Sequence, residues 1–505
     1  MTSSGRLLVR DATILTLDPR DRVIPRGYIL VEGERIAAVG EGDPPPGMAA
    51  ERVVEARHRL AIPGLVNCHL HSHENFSRGL LDNLPHNVWM IYVRPPLGAA
   101  PLDTEDVYLR TLLGCLEMLR SGVTMAVDDV VHLPAAEDAV EAVMRAYDDA
   151  GLRALVTGTT VDGAYHLTLP WAEEVFPPEI RREFEARPRP TVRDLTAFAR
   201  RCLARWPPTG RVGFALSPSA PQRCTRELLV ALRDLQRETG APLVIHALET
   251  RLQAVAGPLF YGKSMVAYLD EVGLLGSRTA VIHAVWVDDD DVRRLAASGA
   301  TVVHNPSSNL KLGSGIAPVR ALLQARVPVA LGTDGMGSND AQNLFEEMRL
   351  AGLVSKITSP RYEEWLSARE VLGMATGGGR RFAGLESDLG ALEPGRLADI
   401  VLLDLTTISF TPFHDPVRQV VFSERGSSVR TVIVGGRLVM EDGVIRTVDE
   451  ASVLGRTREA AARAHAAGAE GWRRSRQLEP YFAEIYRRAA IAPVGVARRV
   501  VGGGW

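Results

Sequence analysis

Twelve histidines occur in this chain of 505 residues, and their position relative to apolar runs is the first chemical signal. His69-Leu70-His71 closes a run that begins at Leu60. Side chains alternate across a strand, so positions i and i+2 face the same way, and two imidazoles on one side of a strand make half a divalent-metal site. Alone, such a pair is a weak signal, because packed or exposed histidines would account for it. The same position is polar on later runs. His246 closes Pro242-Leu243-Val244-Ile245, His283 closes Ala280-Val281-Ile282, His304 closes Thr301-Val302-Val303, and Asp334 follows Ala330-Leu331-Gly332-Thr333. A buried histidine or aspartate at an apolar strand end needs a partner. Five such ends that converge on one mouth are hard to explain by packing. Glu249 stands three residues after His246. Beside a metal its carboxylate is a candidate proton shuttle; without one it reads as a glutamate favoured at a helix start by the dipole.

Those ends need elements that bring them together. From Ile62 to about Phe382 short apolar runs alternate with helical stretches, as expected for βα units on a parallel sheet. The runs are Leu60–Val66, Thr124–Val127, Arg153–Gly158, Val212–Leu216, Pro242–His246, Thr279–His283, Thr301–His304 and Pro328–Leu331. Helical candidates between them include Thr104–Arg120, Ala135–Ala150, Thr225–Thr239, Asp289–Ala297 and Gln342–Ile357. The expected fold is α/β, a (β/α)8 barrel of TIM type, in which catalysis sits at the C-terminal strand ends. An open doubly wound sheet is the alternative. Short strands precede the barrel (Leu7–Val9, Ala12–Leu17, Tyr28–Val31, Ile36–Val39) and follow it (Leu397–Leu405, Val429–Met440). Neither set can bury its own core, so they suggest one small β-domain assembled from both chain ends. The expected divisions are 1–61, 62–385 for the barrel, 386–450, and a helical extension over 451–505. In that extension Ala460–Ala467 and Tyr481–Ala490 read as helices with a solvated arginine face, and Gly502-Gly503-Gly504 as loose.

Composition narrows the function classes. Hydrophobic residues make up 46% and charged ones 24%, ordinary globular values that exclude wholesale disorder. A formal charge of −3 argues against a nucleic-acid or membrane-surface protein that works by bulk charge. Cys68, Cys115, Cys202 and Cys224 are scattered without a paired spacing, which fits a reducing compartment. Without a signal-peptide pattern or a long apolar window, the expectation is a cytoplasmic protein.

The run Pro63-Gly64-Leu65-Val66-Asn67-Cys68-His69-Leu70-His71 resembles the opening of the amidohydrolase superfamily. The chain is most similar to its aminohydrolase branch, which holds cytosine, guanine and adenosylhomocysteine deaminases and triazine chlorohydrolases. Four further stretches carry the resemblance: His246-Ala247-Leu248-Glu249-Thr250; His304 through Leu312; Gly332-Thr333-Asp334-Gly335 with Ser338-Asn339; and Gly395 through Val401. The resemblance implies that the split β-domain is a flanking sandwich. It implies that His69, His71, His246 and Asp334 hold one divalent ion, zinc or iron. Glu249 would be the proton shuttle, His283 would polarise the reacting centre, and Asp334 would also take a proton. His304 and Asn309 would line the substrate pocket. His73 is expected as a pocket residue, and the stretch Glu74–Pro96, with Arg78, Trp89 and Tyr92, is expected to shape the pocket.

The implied reaction adds metal-activated water to an sp2 carbon that carries an amino group and releases ammonia, with no covalent enzyme nucleophile. The lysine count selects a subtype. Members that cleave cyclic amides commonly bridge two metals through a carboxylated lysine on the fourth barrel strand. Only Lys263, Lys311 and Lys356 occur here, none of them in Val212–Ser219, so a single-metal deaminase is expected. One departure bears on the substrate. Adenosylhomocysteine-type deaminases usually carry histidine in a Pro-His-Ala-Pro turn, where this chain has Pro218-Ser219-Ala220-Pro221. The leading expectation is deamination of an N-heterocyclic amine. Hydrolysis of an amidine or guanidine, or displacement of a chloro or alkylamino group from a ring, is the alternative. A scaffold without activity is the last reading. A small molecule is the expected partner, with no nucleic acid or membrane, and a homodimer is left open.

Overall fold

A computed structural model of the chain describes residues 5–94, 102–131 and 136–499. The Gly502-Gly503-Gly504 tail, Pro95, Pro96 and Ala135 lie outside the described residues.

Five strands open the chain: β1 (Arg6–Leu15), β2 (Val23–Glu32), β3 (Arg35–Glu41), β4 (Arg52–Glu55) and β5 (Arg59–Pro63). Eight follow in the central region: β6 (Leu65–Leu70), β7 (Val123–Asp128), β8 (Arg153–Thr157), β9 (Val212–Ala215), β10 (Leu243–Ala247), β11 (Thr279–His283), β12 (Thr301–His304) and β13 (Val329–Leu331). Four more close the sequence of strands: β14 (Ile400–Asp404), β15 (Val429–Val434), β16 (Arg437–Glu441) and β17 (Val444–Ile445).

The first and last groups join in one nine-stranded sheet, ordered β17-β16-β15-β14-β5-β1-β2-β3 with β4 on β1. The splice is the antiparallel pairing of β14 with β5, from Ile400 opposite Pro63 to Asp404 opposite Arg59. Residues from both ends share a buried core, among them Val9, Ile14, Ile29, Val31, Ala61, Ile400, Leu402 and Ile433. The run expected as the first barrel strand therefore divides at Gly64. Arg59–Pro63 belongs to the outer sheet, and the first strand of the central unit is Leu65–Leu70.

The central strands pair in parallel in two sheets, β6-β7-β8-β9 and β10-β11-β12-β13. They are buried along most of their length, the pattern of a parallel sheet covered on both faces. A parallel bridge from Leu216 to Leu243 links the two sheets. At the far side the Asp334 amide donates to the His69 carbonyl at 3.0 Å. One apolar cluster takes residues from every one of these strands: Val66, Met125, Leu155, Ala215, Val244, Ile282, Val303 and Ala330. Residues of the other parity, such as Ala126, Ile245, Val281, Val302 and Val329, join the helices in a second cluster.

Several of the helices are amphipathic and capped by a side chain at their start. Arg226–Thr239 buries Leu228, Leu229, Leu232 and Leu235, starts on the Thr225 side chain, which accepts from the Leu228 amide, and ends at Gly240 with φ 66°. The two C-terminal helices expected from sequence are one 42-residue helix, Glu450–Ile491, which runs through Pro480. Its arginines are not simply solvated: Arg456 meets Glu105, Arg463 meets Asp106 at 2.6 Å and Arg474 meets Glu183 at 2.5 Å. Leu478, Phe482 and Ile485 are buried against the segment His86–Val93 and Ala172–Glu185. Among the described residues no helix is long and apolar enough to cross a membrane.

Candidate active site

The polar strand ends do meet. The donor atoms of His69, His71 and His246 lie within 4.8 Å of one another, as do those of His69, His283 and Asp334. Asp334 Oδ1 is 3.5 Å from His69 Nε2 and 3.4 Å from His71 Nε2. The His69 ring centroid is 4.6 Å from that of His71 and 4.9 Å from that of His246.

Local backbone sets these directions. Val244 faces the inner cluster, so His246, two residues on, points the same way. Ile282 is also inward, and strict alternation would turn His283 outward. Its φ of 72° breaks the alternation, and its ring lies 5.5 Å from that of His246. Asp334, with φ 61°, is turned similarly after β13. Left-handed backbone at residues other than glycine costs of order 1 kcal/mol or more and concentrates at functional sites. Gly332 has its own reason to lack a side chain: a Cβ there would stand 2.9 Å from His69 Cβ and 2.5 Å from Asn305 Oδ1. A buried network then ties the Asp334 loop to β6. Asn67 Nδ2 donates to Thr333 Oγ1 at 2.8 Å, its Oδ1 accepts from the Thr333 amide at 3.1 Å, and Gln342 Nε2 donates to the Asp334 carbonyl at 3.0 Å.

Hydrogen bonds also select the ring atoms that face inward. The Asp129 carbonyl accepts from His71 Nδ1 at 2.6 Å, and the Ser219 carbonyl accepts from His246 Nδ1 at 2.9 Å, which leaves each Nε2 with a free lone pair. Burial and the neighbouring His69 press the His71 ring down to about 3. Burial and the adjoining imidazoles hold His246 well below the usual range. Burial works to raise Asp334, but the neighbouring imidazoles of His69, His71 and His283 keep it well below an ordinary carboxyl. Neutral imidazoles beside an ionised carboxylate are the protonation states that a divalent cation requires. Both ring nitrogens of His69 are buried with no hydrogen-bond partner among the described residues. This donor set fits a divalent metal.

A narrow cleft opens on the cluster, lined by His71, Glu74, His86, Trp89, Met90, Arg94, Arg223, His246, Glu249, Gln253, His283 and Asp334. Glu249 is buried there, with Oε2 3.3 Å from His86 Nε2 and 3.8 Å from His283 Nε2. Its amide donates to Gln253 Oε1 at 2.6 Å. His283 Nδ1 faces Asn309 Oδ1 at 2.9 Å and Asn305 Nδ2 at 3.2 Å. Trp89 presents its ring to the cleft and anchors its indole N–H on the Gly337 carbonyl at 3.0 Å.

Other expected pocket residues sit elsewhere. His304 follows the inward Val303 and shares the parity of Val302, so it is buried outside the cleft lining. Asn309 backs His283 rather than lining the cleft. His73 lies behind it, where its Nε2 accepts from Arg94 Nε at 3.2 Å. Arg78 is not brought in: it pairs with Glu117 and lies 3.1 Å from Met336 Sδ. Tyr92 turns its hydroxyl to Glu479. Sequence reading passed over His86, Glu74, Arg94, Arg223 and Gln253. The first three fall in the stretch already suspected of shaping the pocket, and Arg223 follows the Pro218–Pro221 turn at once. No periodicity distinguished them there.

Residues 60–439 match the model of the Amidohydrolase family. The chain belongs to the amidohydrolase family. This amidohydrolase is 35% identical to a protein named 5'-deoxyadenosine deaminase from Methanosarcina barkeri, over 90% of this chain and 97% of the other. Among solved structures it is similar to an adenosine deaminase from Xanthomonas campestris with bound zinc (28% identity, TM-score 0.80, 91% of this chain and 98% of that one). It is equally similar in fold to atrazine chlorohydrolase from Arthrobacter aurescens complexed with zinc (27% identity, TM-score 0.80, 90% of this chain and 100% of that one). The α/β fold with parallel sheets and the His/Asp cluster for a divalent metal agree with these neighbours.

Proposed function

We propose that this amidohydrolase is a single-metal deaminase that hydrolyses the amino group of an N-heterocycle and releases ammonia. The observation that carries the reading is Glu249, buried in the cleft beside His283 and facing the cluster of three histidines and one aspartate. The relatives named as deaminases of adenosine derivatives support the reaction class. His69, His71, His246 and Asp334 would hold the ion, zinc in view of the zinc-bound neighbours. When bound, such an ion lowers the pKa of water and so makes hydroxide available near neutral pH.

The remaining steps fall to the chain's own groups. Asp334 stays ionised and can accept a proton from the attacking water. Glu249 Oε2 carries the other proton of that water to the ring nitrogen next to the reacting carbon. His283, whose Nδ1 donates to Asn309 Oδ1, directs Nε2 at the oxygen that becomes bonded to that carbon. The proton taken by Asp334 then passes to the amino group, which leaves as ammonia. Water is consumed, a C–O bond replaces the C–N bond, and no enzyme atom becomes covalently attached.

The same reading extends to the scaffold. The Leu216–Leu243 bridge, the Asp334–His69 bond and the shared inner cluster support one closed (β/α)8 barrel over roughly 62–385. The common core of the nine-stranded sheet supports a sandwich made from 1–61 and 386–450, with 451–505 as the extension. The fold shared with atrazine chlorohydrolase favours a second reading, displacement of a different leaving group from a similar ring.

Ammonia release by zinc-loaded protein from amino-heterocycles, amidines and guanidines tests the proposal, with Glu249→Gln alongside. Release from a heterocycle that the variant abolishes supports deamination. Chloride or alkylamine release without ammonia moves the second reading to first.

A further inference from the structure

Two guanidinium groups line the cleft, and they are unequally matched. Arg94 Nη2 lies 3.7 Å from Glu74 Oε1. Arg223 meets no carboxylate in an ion pair among the described residues. Its Nη1 donates to Ser219 Oγ at 3.2 Å, and its Nη2 lies 3.0 Å from Met90 Sδ. A hydroxyl and a thioether are the hydrogen-bond partners of its guanidinium among the described residues, and thioether sulfur is a weak acceptor; the Glu249 carboxylate offsets part of its charge without pairing with it. Burial, then repulsion from Arg94, lower the Arg223 pKa, and Tyr165 and Glu249 offset only part of this, so a further anion beside the two guanidinium groups would be favoured.

The position of Arg223 is tied to the reacting centre through one residue. The Ser219 hydroxyl accepts from Arg223, while the Ser219 carbonyl accepts from His246 Nδ1 at 2.9 Å. Ser219 occupies the turn position where adenosylhomocysteine-type deaminases usually carry an imidazole. In this chain that position supports a guanidinium at the cleft wall. Arginine presents parallel N–H donors that match the two oxygens of a carboxylate or phosphate.

We propose that Arg223, flanked by Arg94, binds an oxyanion substituent of the substrate, so that the substrate is an amino-heterocycle bearing a carboxylate or phosphate group. This assignment rests on the deaminase reading for the reaction but not for the binding.

Matched neutral and anionic probes test it: 5'-deoxyadenosine against adenosine-5'-carboxylate and adenosine 5'-monophosphate, and cytosine against cytosine-5-carboxylate. Each is measured for ammonia release and, independently, by calorimetric binding to the zinc-loaded enzyme. The anionic member of at least one pair is expected to bind about tenfold more tightly or better, an advantage that shrinks as salt is raised. Arg223→Gln is expected to lower affinity for the anion about tenfold more than for its neutral partner, and Arg223→Lys to recover part of that selectivity. Melting curves of both variants verify folding. The carboxylate and phosphate arms identify the oxyanion. Equal binding of all pair members, no anion bound in an Arg223-dependent way, or equal losses for both pair members in Arg223→Gln would each overturn the proposal. Arg223-dependent anion binding with no ammonia from any probe would keep the subsite and count against deamination. Ammonia release without charge selectivity would do the reverse.

Discussion

His86 Nε2 lies 3.3 Å from Glu249 Oε2, although the two side chains come from segments 163 residues apart in sequence and His86 belongs to the helix His86–Val93. This places an imidazole on the carboxylate that faces the proposed reacting centre. His86 also borders a second cavity, shared with Arg251, Leu312 and Tyr486, so the pair stands between the cleft and the outer wall.

Glu249→Gln is expected to lower kcat about a hundredfold or more, because the amide cannot carry the proton. His86→Ala is expected to lower kcat less, about tenfold, through loss of orientation at Glu249. Metal content is expected to stay unchanged in both. Steady-state ammonia release with metal analysis checks this, and a metal-depleted Glu249→Gln would contradict the assignment.

His71→Ala and Asp334→Asn are expected to lose metal. Chelation of the intact protein is expected to abolish activity and lower the melting temperature, with zinc restoring both, since an ion that binds only the folded state stabilises it. Gly332→Ala is predicted to act at a distance by pushing on His69. Elemental analysis of each variant gives the answer; full zinc retention in Gly332→Ala would show that β6 can shift to accommodate the methyl group.

The C-terminal helix clamps the segment that carries His86 and Trp89. Asn87 Nδ2 donates to the Phe482 carbonyl at 2.8 Å, and the Ser475 hydroxyl donates to the Ile91 carbonyl. Phe482 is fully buried, so Phe482→Ala is expected to cost about 3–5 kcal/mol and to reduce kcat/KM in protein that remains folded. Denaturant titration and kinetics on the same preparation test both effects. Unaltered kinetics in a destabilised variant would separate the clamp from the site.

Asp291 gives a pH dependence remote from the cleft. Burial raises its carboxyl from 3.8 to about 6, although the Ser264 hydroxyl and the Asp288 amide bond to it. A raised carboxyl pKa favours the protonated folded state. Its contribution is fully present below 3.8 and is lost as pH rises through about 6. The stability of Asp291→Asn relative to the parent is therefore expected to increase between those two pH values. Paired melts across this window measure it, and a constant difference would show that Asp291 does not titrate there.

Much of the scaffold was legible in the pattern of residues. Thr104–Arg120, Thr279–His283 and Thr301–His304 have the same bounds in the structure, because amphipathic periodicity and buried apolar runs are local properties. The run at Leu60–Val66 misled, since an apolar stretch gives no sign of which of two sheets takes each half. The long C-terminal helix was read as two pieces because Gly468, Gly471 and Pro480 weaken helix propensity, while packing of Leu478, Phe482 and Ile485 overrides it.

What the sequence determined by itself was the candidate donor set: imidazoles and a carboxylate at the ends of apolar strands, with Glu249 three residues beyond His246. Chemistry of that kind is written in residue type and strand position. The tertiary structure decided which strand-end residues enter the cleft. His283 is admitted by a left-handed backbone, and His304 is excluded by ordinary alternation. It also decided that His86, Arg94 and Arg223 share a wall with them. Side-chain direction depends on backbone torsions, and neighbours across the cleft depend on packing between distant segments, so neither is carried by local pattern.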